Sequence, residues 1–218
     1  MIDDDVQVAA WAPSTNGGPY GAVLARALAG RRRDLAAALT RLESQSARLA
    51  AVADMLIATL RAGRTVLVAG NGGSAAGAQH FAAELVGRFR REREPYPIVA
   101  LCTDSAVVTA VANDYGYEQV FARQVAAFGR AGDLLVVIST SGESENLVRA
   151  AVTARRRGLS VVAVTGERDS RLAALADLAV RVPTDDTALV QELHLIVTHV
   201  LCDLVEAELA IREGAGGP

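Results

Sequence analysis

Residues 134–138 read Leu-Leu-Val-Val-Ile, and residues 139–144 read Ser-Thr-Ser-Gly-Glu-Ser. Five apolar residues without polar alternation describe a strand covered on both faces, as in a parallel sheet. The polar turn that follows leads into an amphipathic stretch, Glu145–Arg157, closed by Gly158. The same strand, turn and helix order occurs earlier as Val66–Ala69, Gly70–Ser74 and Ala75–Arg88. Working outward, Ile98–Cys102, Ser160–Thr165 and Leu178–Val182 read as further strands. Tyr117–Phe128, Arg171–Ala176 and Thr187–Arg212 read as helices, and Ala106–Asn113 as helical or irregular. Strands alternating with helices predict an α/β fold with a five-stranded parallel sheet covered on both faces.

Ahead of the first strand, residues 20–30 and 33–61 read as two helices. Leu35, Leu39, Leu42, Leu49, Val52, Leu56 and Leu60 recur at threes, fours and sevens, and Gly63 stops the second helix. Their apolar stripe needs a partner, either their own sheet or a neighbouring subunit. Residues 1–19 read as a flexible arm, because Pro13, Ser14, Asn16, Gly17, Gly18 and Pro19 are turn and breaker residues. Residues 213–218 read as a frayed tail.

The chain has 218 residues, 51% of them hydrophobic, and a formal net charge of −3. That length supports a full hydrophobic core, and that charge gives no basis for nucleic-acid binding. Cys102 and Cys202 stand 100 residues apart among apolar neighbours, which suits buried free thiols in a reducing compartment. Met1–Asp5 carries three aspartates and no Lys or Arg, the wrong charge for a signal peptide. No uninterrupted apolar run reaches the roughly 18 residues of a membrane span. These features predict a soluble cytoplasmic protein.

Both turns fall at the carboxyl ends of strands, where a parallel sheet takes its ligands. Ser139, Thr140, Ser141 and Ser144 put four hydroxyls around Gly142 just ahead of a helix. Hydroxyls and amides at a helix N-terminus make an anion cradle, and one Ser or Thr would suffice for capping alone. Gly70-Asn71-Gly72-Gly73-Ser74 lacks the spacing of a dinucleotide fingerprint and the lysine of a P-loop. Its glycines let backbone approach a ligand, with Asn71 and Ser74 available to sugar hydroxyls or phosphate.

All three histidines of the chain lie in two helices. His80 and Glu84 are four apart and share a face. Gln191, Glu192, His194 and His199 interrupt the apolar last helix, with Gln191 and His199 about 80° apart around the axis and two turns apart along it. His, Glu and Gln donors suit zinc, and the same groups without metal suit acid–base work near neutral pH.

The stretches Ala69–Ala75, Gln79–Leu85, Ala112–Gly116, Ile138–Ser144 and Gln191–His194 with His199 resemble the phosphoheptose isomerases of the SIS (sugar isomerase) fold. The resemblance runs from about residue 33 to residue 209. It implies one SIS domain over residues 20–212, a three-layer α/β/α sandwich of flavodoxin-like order preceded by N-terminal helices. It also implies conversion of sedoheptulose 7-phosphate into D-glycero-D-manno-heptose 7-phosphate, in a homotetramer with active sites between subunits. On this resemblance Ser139, Thr140, Ser141 and Ser144 hold phosphate, with Asn71, Gly72, Gly73 and Ser74 nearby and Asp114 at the sugar. Glu84 and His199 are the implied catalytic pair, and His80, Glu84, Gln191 and His199 an implied zinc set.

Three positions depart from the family pattern. Gly77 stands where many relatives have aspartate, Leu189 where many have arginine, and Glu143 where asparagine is usual. They leave two alternatives: an isomerase of another sugar phosphate, or a non-catalytic SIS protein with a regulatory or initiator-binding role. Glu143 is expected to point away from the phosphate.

Overall fold

Each apolar run is too short for a helix, and Val66–Gly70 and Leu134–Ser139 are buried on both faces, so the backbone satisfies its polar groups by pairing with neighbouring strands. The computed structural model describes residues 18–214. The arm expected over residues 1–19 lies outside the described residues as far as residue 17, and the expected tail from residue 215. The chain divides into two units, residues 1–37 and 38–218. In the first, the described residues form a 3-10 turn, Gly18–Tyr20, and the start of helix α1, Gly21–Glu43. The sheet, the clefts and the titratable residues discussed below all belong to the second.

There the order is α2 (Ser46–Arg61), β1 (Val66–Gly70), α3 (Gly73–Val86), β2 (Ile98–Ala100) and α4 (Ser105–Tyr115). It continues with α5 (Val120–Phe128), β3 (Leu134–Ser139), α6 (Glu145–Arg156), β4 (Ser160–Thr165), α7 (Arg171–Leu175), β5 (Leu178–Arg181) and α8 (Thr187–Gly214). The five strands form one sheet in the order β2-β1-β3-β4-β5. Every pairing is parallel, as expected from the apolar runs.

Register divides the sheet into two apolar faces. Leu67, Leu135 and Val161 align across β1, β3 and β4, as do Val68, Val136 and Val162 on the opposite face. The first set belongs to a core with Phe121 and Val125 of α5 and Leu147, Ala150 and Ala151 of α6. Helix α8 packs against both α2 and α3, and the three helices bury Leu56, Phe81, Leu85, Leu193, Val197 and Val205. Helix α8 is long and apolar enough to cross a membrane by composition, yet half of its apolar window is buried inside the protein.

The two N-terminal helices divide elsewhere than expected. Helix α1 runs through Gly30 and Arg31–Arg33, and the chain turns at Ser44 and Gln45. One isolated glycine costs a helix only about 1 kcal/mol. The Ser44 hydroxyl instead donates back to the Arg41 carbonyl at 2.7 Å, a local bond that competes with helix continuation. Residues 106–113 are settled as helix, within α4, because Asp104 caps it by accepting from Val107 N. Helix α3 starts at Gly73, two residues earlier than expected, because Gly72 at φ +53° lets the Asn71 carbonyl accept from the Ser74 and Ala75 amides. Cys202 is buried as expected, whereas Cys102 is only partly so.

The reversal of strand order falls between β1 and β3. An open parallel sheet binds ligands at this switch point, beyond the carboxyl ends of the strands. Both ligand-turn candidates, Gly70–Ser74 and Ser139–Ser144, leave the sheet here.

Candidate active site

Helices α3 and α8 lie side by side and bring three titratable side chains together. His80 and Glu84 come from one face of α3, and His199 from α8. The Nε2 atoms of His80 and His199 are 2.8 Å apart, and His80 Nε2 is 3.3 Å from Glu84 Oε1. The two rings meet edge to face, with centroids 5.0 Å apart. At that separation one ring donates its Nε2 proton and the other accepts it. All three residues are partly exposed, so the group opens to ligands.

One donor atom from each of His80, Glu84 and His199 lies within 4.8 Å of the others, and among the described residues these three form a group able to hold a metal ion. Two nitrogens and a carboxylate oxygen are a donor set suited to zinc, in which nitrogens at about 2.0–2.1 Å from the ion stand roughly 3.3 Å apart. The fit therefore needs the imidazoles to part slightly and the proton between them to leave.

Beside the triad is a cleft of about 340 Å³, lined by Gly73, Ser74, Gly77, His80, Gln191 and His194 among others. Gln191 thus shares a cleft with His80. Its amide lies over the start of α3, so close that a Cβ on Gly73 would meet Nε2 at 2.5 Å. Gly77 leaves open space, because a Cβ there meets nothing within 4 Å. Leu189 is a buried core residue of α8, whose N-terminus Asp186 caps by accepting from Leu189 N at 2.8 Å.

His194 forms part of the cleft wall and is 5% exposed. Neither ring nitrogen meets a partner in hydrogen-bonding geometry. Burial pushes the imidazole down from 6.5 to about 4, against a smaller opposing effect of the Thr165 backbone. The ring is therefore neutral near pH 7, a hydrogen-bonding group rather than a charge. Its folded value lies below its unfolded one, so between pH 6.5 and about 4 the unfolded chain takes up the proton first. Stability from this residue is present above that window and is lost as pH falls through it. Urea titrations across the window should show the wild type losing on the order of 3 kcal/mol more than His194→Leu.

The first turn is tied to the helix that follows the second. Asn71 and Asn146 exchange reciprocal amide bonds, each 2.9 Å, and Tyr117 donates its hydroxyl to Asn71 Oδ1 at 3.0 Å. Asn71 therefore holds the first turn against α6. In the second turn Ser139 Oγ accepts from Gly142 N at 3.1 Å, and Ser141 Oγ from Glu143 N at 3.2 Å. These two hydroxyls shape the turn through their lone pairs. Ser144 precedes α6 without a side-chain cap bond. Gly142, at φ +68°, is where the turn needs glycine, since a Cβ would collide with Ser170 Oγ. The Glu143 carboxylate accepts from Arg171 N at 2.8 Å and so turns toward α7.

Not every expected residue joins the cleft beside the triad. Thr140 and Ser141 line a separate cleft of about 280 Å³ with Gly166, Arg168 and the acidic Glu143, Glu167, Asp169 and Asp185, so Glu143 borders the cleft of two hydroxyls from which it is expected to point away. Asp114 is exposed at the end of α4, and its Oδ1 accepts from Asn113 Nδ2 at 2.8 Å.

The comparisons with known proteins concern this same architecture. The SIS domain family pattern matches residues 32–166. A phosphoheptose isomerase of Roseiflexus sp. (strain RS-1) is 49% identical over 168 residues, 77% of this chain and 85% of that protein. The chain belongs to the phosphoheptose isomerase family. A second phosphoheptose isomerase, from Geobacter metallireducens, is 51% identical over 162 residues, 74% of this chain and 86% of that protein. Solved phosphoheptose isomerases from Francisella tularensis and Neisseria gonorrhoeae each superpose with a TM-score of 0.80 at 38% identity. They cover 84% of this chain, and 97% and 99% of theirs. The SIS pattern ends at residue 166, so α8, with Gln191, His194 and His199, adds its side chains from beyond it.

Proposed function

We propose that the protein is an aldose–ketose isomerase converting sedoheptulose 7-phosphate into D-glycero-D-manno-heptose 7-phosphate. The observation that carries this reading is the triad of His80, Glu84 and His199 beside the ligand-binding end of the sheet, in a chain of the phosphoheptose isomerase family. The reaction moves one carbon-bound proton from C1 to C2 and one hydroxyl proton from O1 to O2, through an enediol. Glu84 is the base. With Oε1 toward His80, its Oε2 is the oxygen that takes the C1 proton and returns it to C2. His199 carries the oxygen-bound proton, and its contact with His80 gives that proton a second ring to rest on.

Hydroxyls of Ser139, Thr140, Ser141 and Ser144 hold the phosphate, beside the start of α6. Gly72 and Gly73 admit the sugar close to the backbone, Ser74 and Gln191 meet its hydroxyls, and Asp114 closes over it. Asn71 sets the turn. Phosphate binding far from C1 holds the reacting carbons against Glu84, which lowers the barrier by orientation. As the alternative to this proton relay, His80, Glu84, Gln191 and His199 would hold a zinc ion, which when bound would polarise the substrate oxygens.

We also assign the active form as a homotetramer in the cytoplasm. Val86, Val99, Leu195, Val200 and Leu204 remain exposed on the second unit and suit contacts between copies. Incubation with sedoheptulose 7-phosphate, with and without zinc and followed by proton NMR, should yield the heptose 7-phosphate. Light scattering on the same sample should give four times the 22.7 kDa chain mass. Absence of turnover in both conditions sinks the isomerase reading, and a monomer sinks the shared site.

A further inference from the structure

The segment that leaves α3, residues 87–97, is clamped to α8 by one carboxylate. Glu206 is wholly buried, and its oxygens accept from the amides of Phe89 at 2.7 Å, Arg90 at 2.8 Å and Arg91 at 3.1 Å. Arg93 meets the same carboxylate at 3.1 Å, with side chains 1% and 0% exposed. The Arg93 guanidinium also donates to the carbonyls of Glu84 and Gly87, each at 3.0 Å, and lies 4.1 Å over the Tyr96 ring. It thereby satisfies orphan carbonyls where α3 ends.

This clamp fixes where Phe89 stands. The Phe89 ring stacks on the His199 imidazole, with centroids 5.4 Å apart and planes 23° from parallel. The Arg90 guanidinium also lies over the Phe89 ring, 5.0 Å from its centroid. His199 therefore meets His80 through its Nε2 and Phe89 through the plane of its ring. Glu206 lies seven residues, two helical turns, beyond His199 on the same face of α8. One helix face thus carries both the imidazole and the group that holds its backing ring.

We infer that Phe89 is a positioning residue for His199, and that Glu206 acts through it by pinning the 87–91 backbone. The inference rests on the isomerase reading for its kinetic arm alone. An imidazole without its backing ring rotates about its side-chain bonds, and turnover then waits for the productive orientation. Partners that orient a reactive or metal-binding histidine are worth about 10- to 100-fold when removed.

The test uses the full chain labelled with ¹⁵N in its three histidines, so that each ring signal is assigned by the variant that lacks it. In Phe89→Ala the His199 ring signals should shift and broaden while those of His194 stay in place. Turnover should fall about 10- to 100-fold with KM changed less than about twofold. Phe89→Tyr keeps a ring in place and should restore both readouts. Glu206→Gln should move the same His199 signals without touching the stack directly. Unchanged His199 signals in a folded Phe89→Ala protein overturn the inference, and so does a KM rise at constant turnover. If the wild type turns over no sugar phosphate, the isomerase reading falls and the NMR arm alone decides this one.

Discussion

Glu84→Gln is expected to lower turnover of sedoheptulose 7-phosphate by about 10²–10⁴-fold, the range for loss of a positioned general base. The amide keeps the size of the carboxylate and still reaches toward His80, so the cleft keeps its shape. What it cannot do is accept a proton from carbon. KM should change far less than turnover, because the phosphate is gripped at the other end of the substrate. His199→Ala should cause a comparable fall, and the double variant should be little worse than either single one, as for residues that act as a unit. Solvent exchange into the substrate C1 position, read by NMR in deuterated water, separates the two roles. It should vanish in Glu84→Gln, and its survival there would remove Glu84 as the base.

The largest effect on folding is expected at Glu206. Glu206→Ala leaves the Arg93 charge buried without its carboxylate and takes the acceptor from three backbone amides. Breaking a buried pair by removing one partner costs about 3–5 kcal/mol, a large part of the stability of a typical domain. Urea unfolding at neutral pH should show that loss, whereas Asp185→Ala, which breaks the exposed pair with Arg168, should cost no more than about 1 kcal/mol. The acid side offers a second check. Burial pushes the Glu206 carboxyl up, but the amides of Arg90, Phe89 and Arg91 and the Arg93 guanidinium together hold it below its ordinary 4.5. A folded value below the unfolded one means stability present above pH 4.5 and lost as pH falls toward the lowered value. Part of the wild-type acid sensitivity should accordingly disappear in Glu206→Ala.

The sheet was legible because parallel strands advertise themselves as unbroken apolar runs, and Leu134–Ile138 and Ser160–Thr165 lie where that pattern puts them. His80 and Glu84 were legible as a pair because helical spacing alone puts them on one face. That His199 joins them depends on how α3 packs against α8, which no local spacing encodes. The break after α1 was missed because it rests on a back-bond from Ser44 rather than on Gly30. Asn146 and Tyr117, which hold Asn71, were missed for the same reason as the 87–97 clamp: their partners are distant in sequence. One signal for the clamp was available. Glu206 shares a helix face with the apolar Cys202 and Leu209, four residues before and three after it, and a carboxylate on such a face needs a buried partner.

Helix α8 carries Gln191, His194, His199 and Glu206 on a single uninterrupted rod whose Leu193, Val197, Leu201 and Val205 are core. The reactive imidazole consequently has no melting event of its own. A lid on a surface loop can open and close at small cost, but His199 can leave its place through main-chain motion only when the core leaves with it. Displacement of His199 on heating and melting of the core are then expected as one transition, and the ring signal of His199 serves as a direct thermometer of the native subunit.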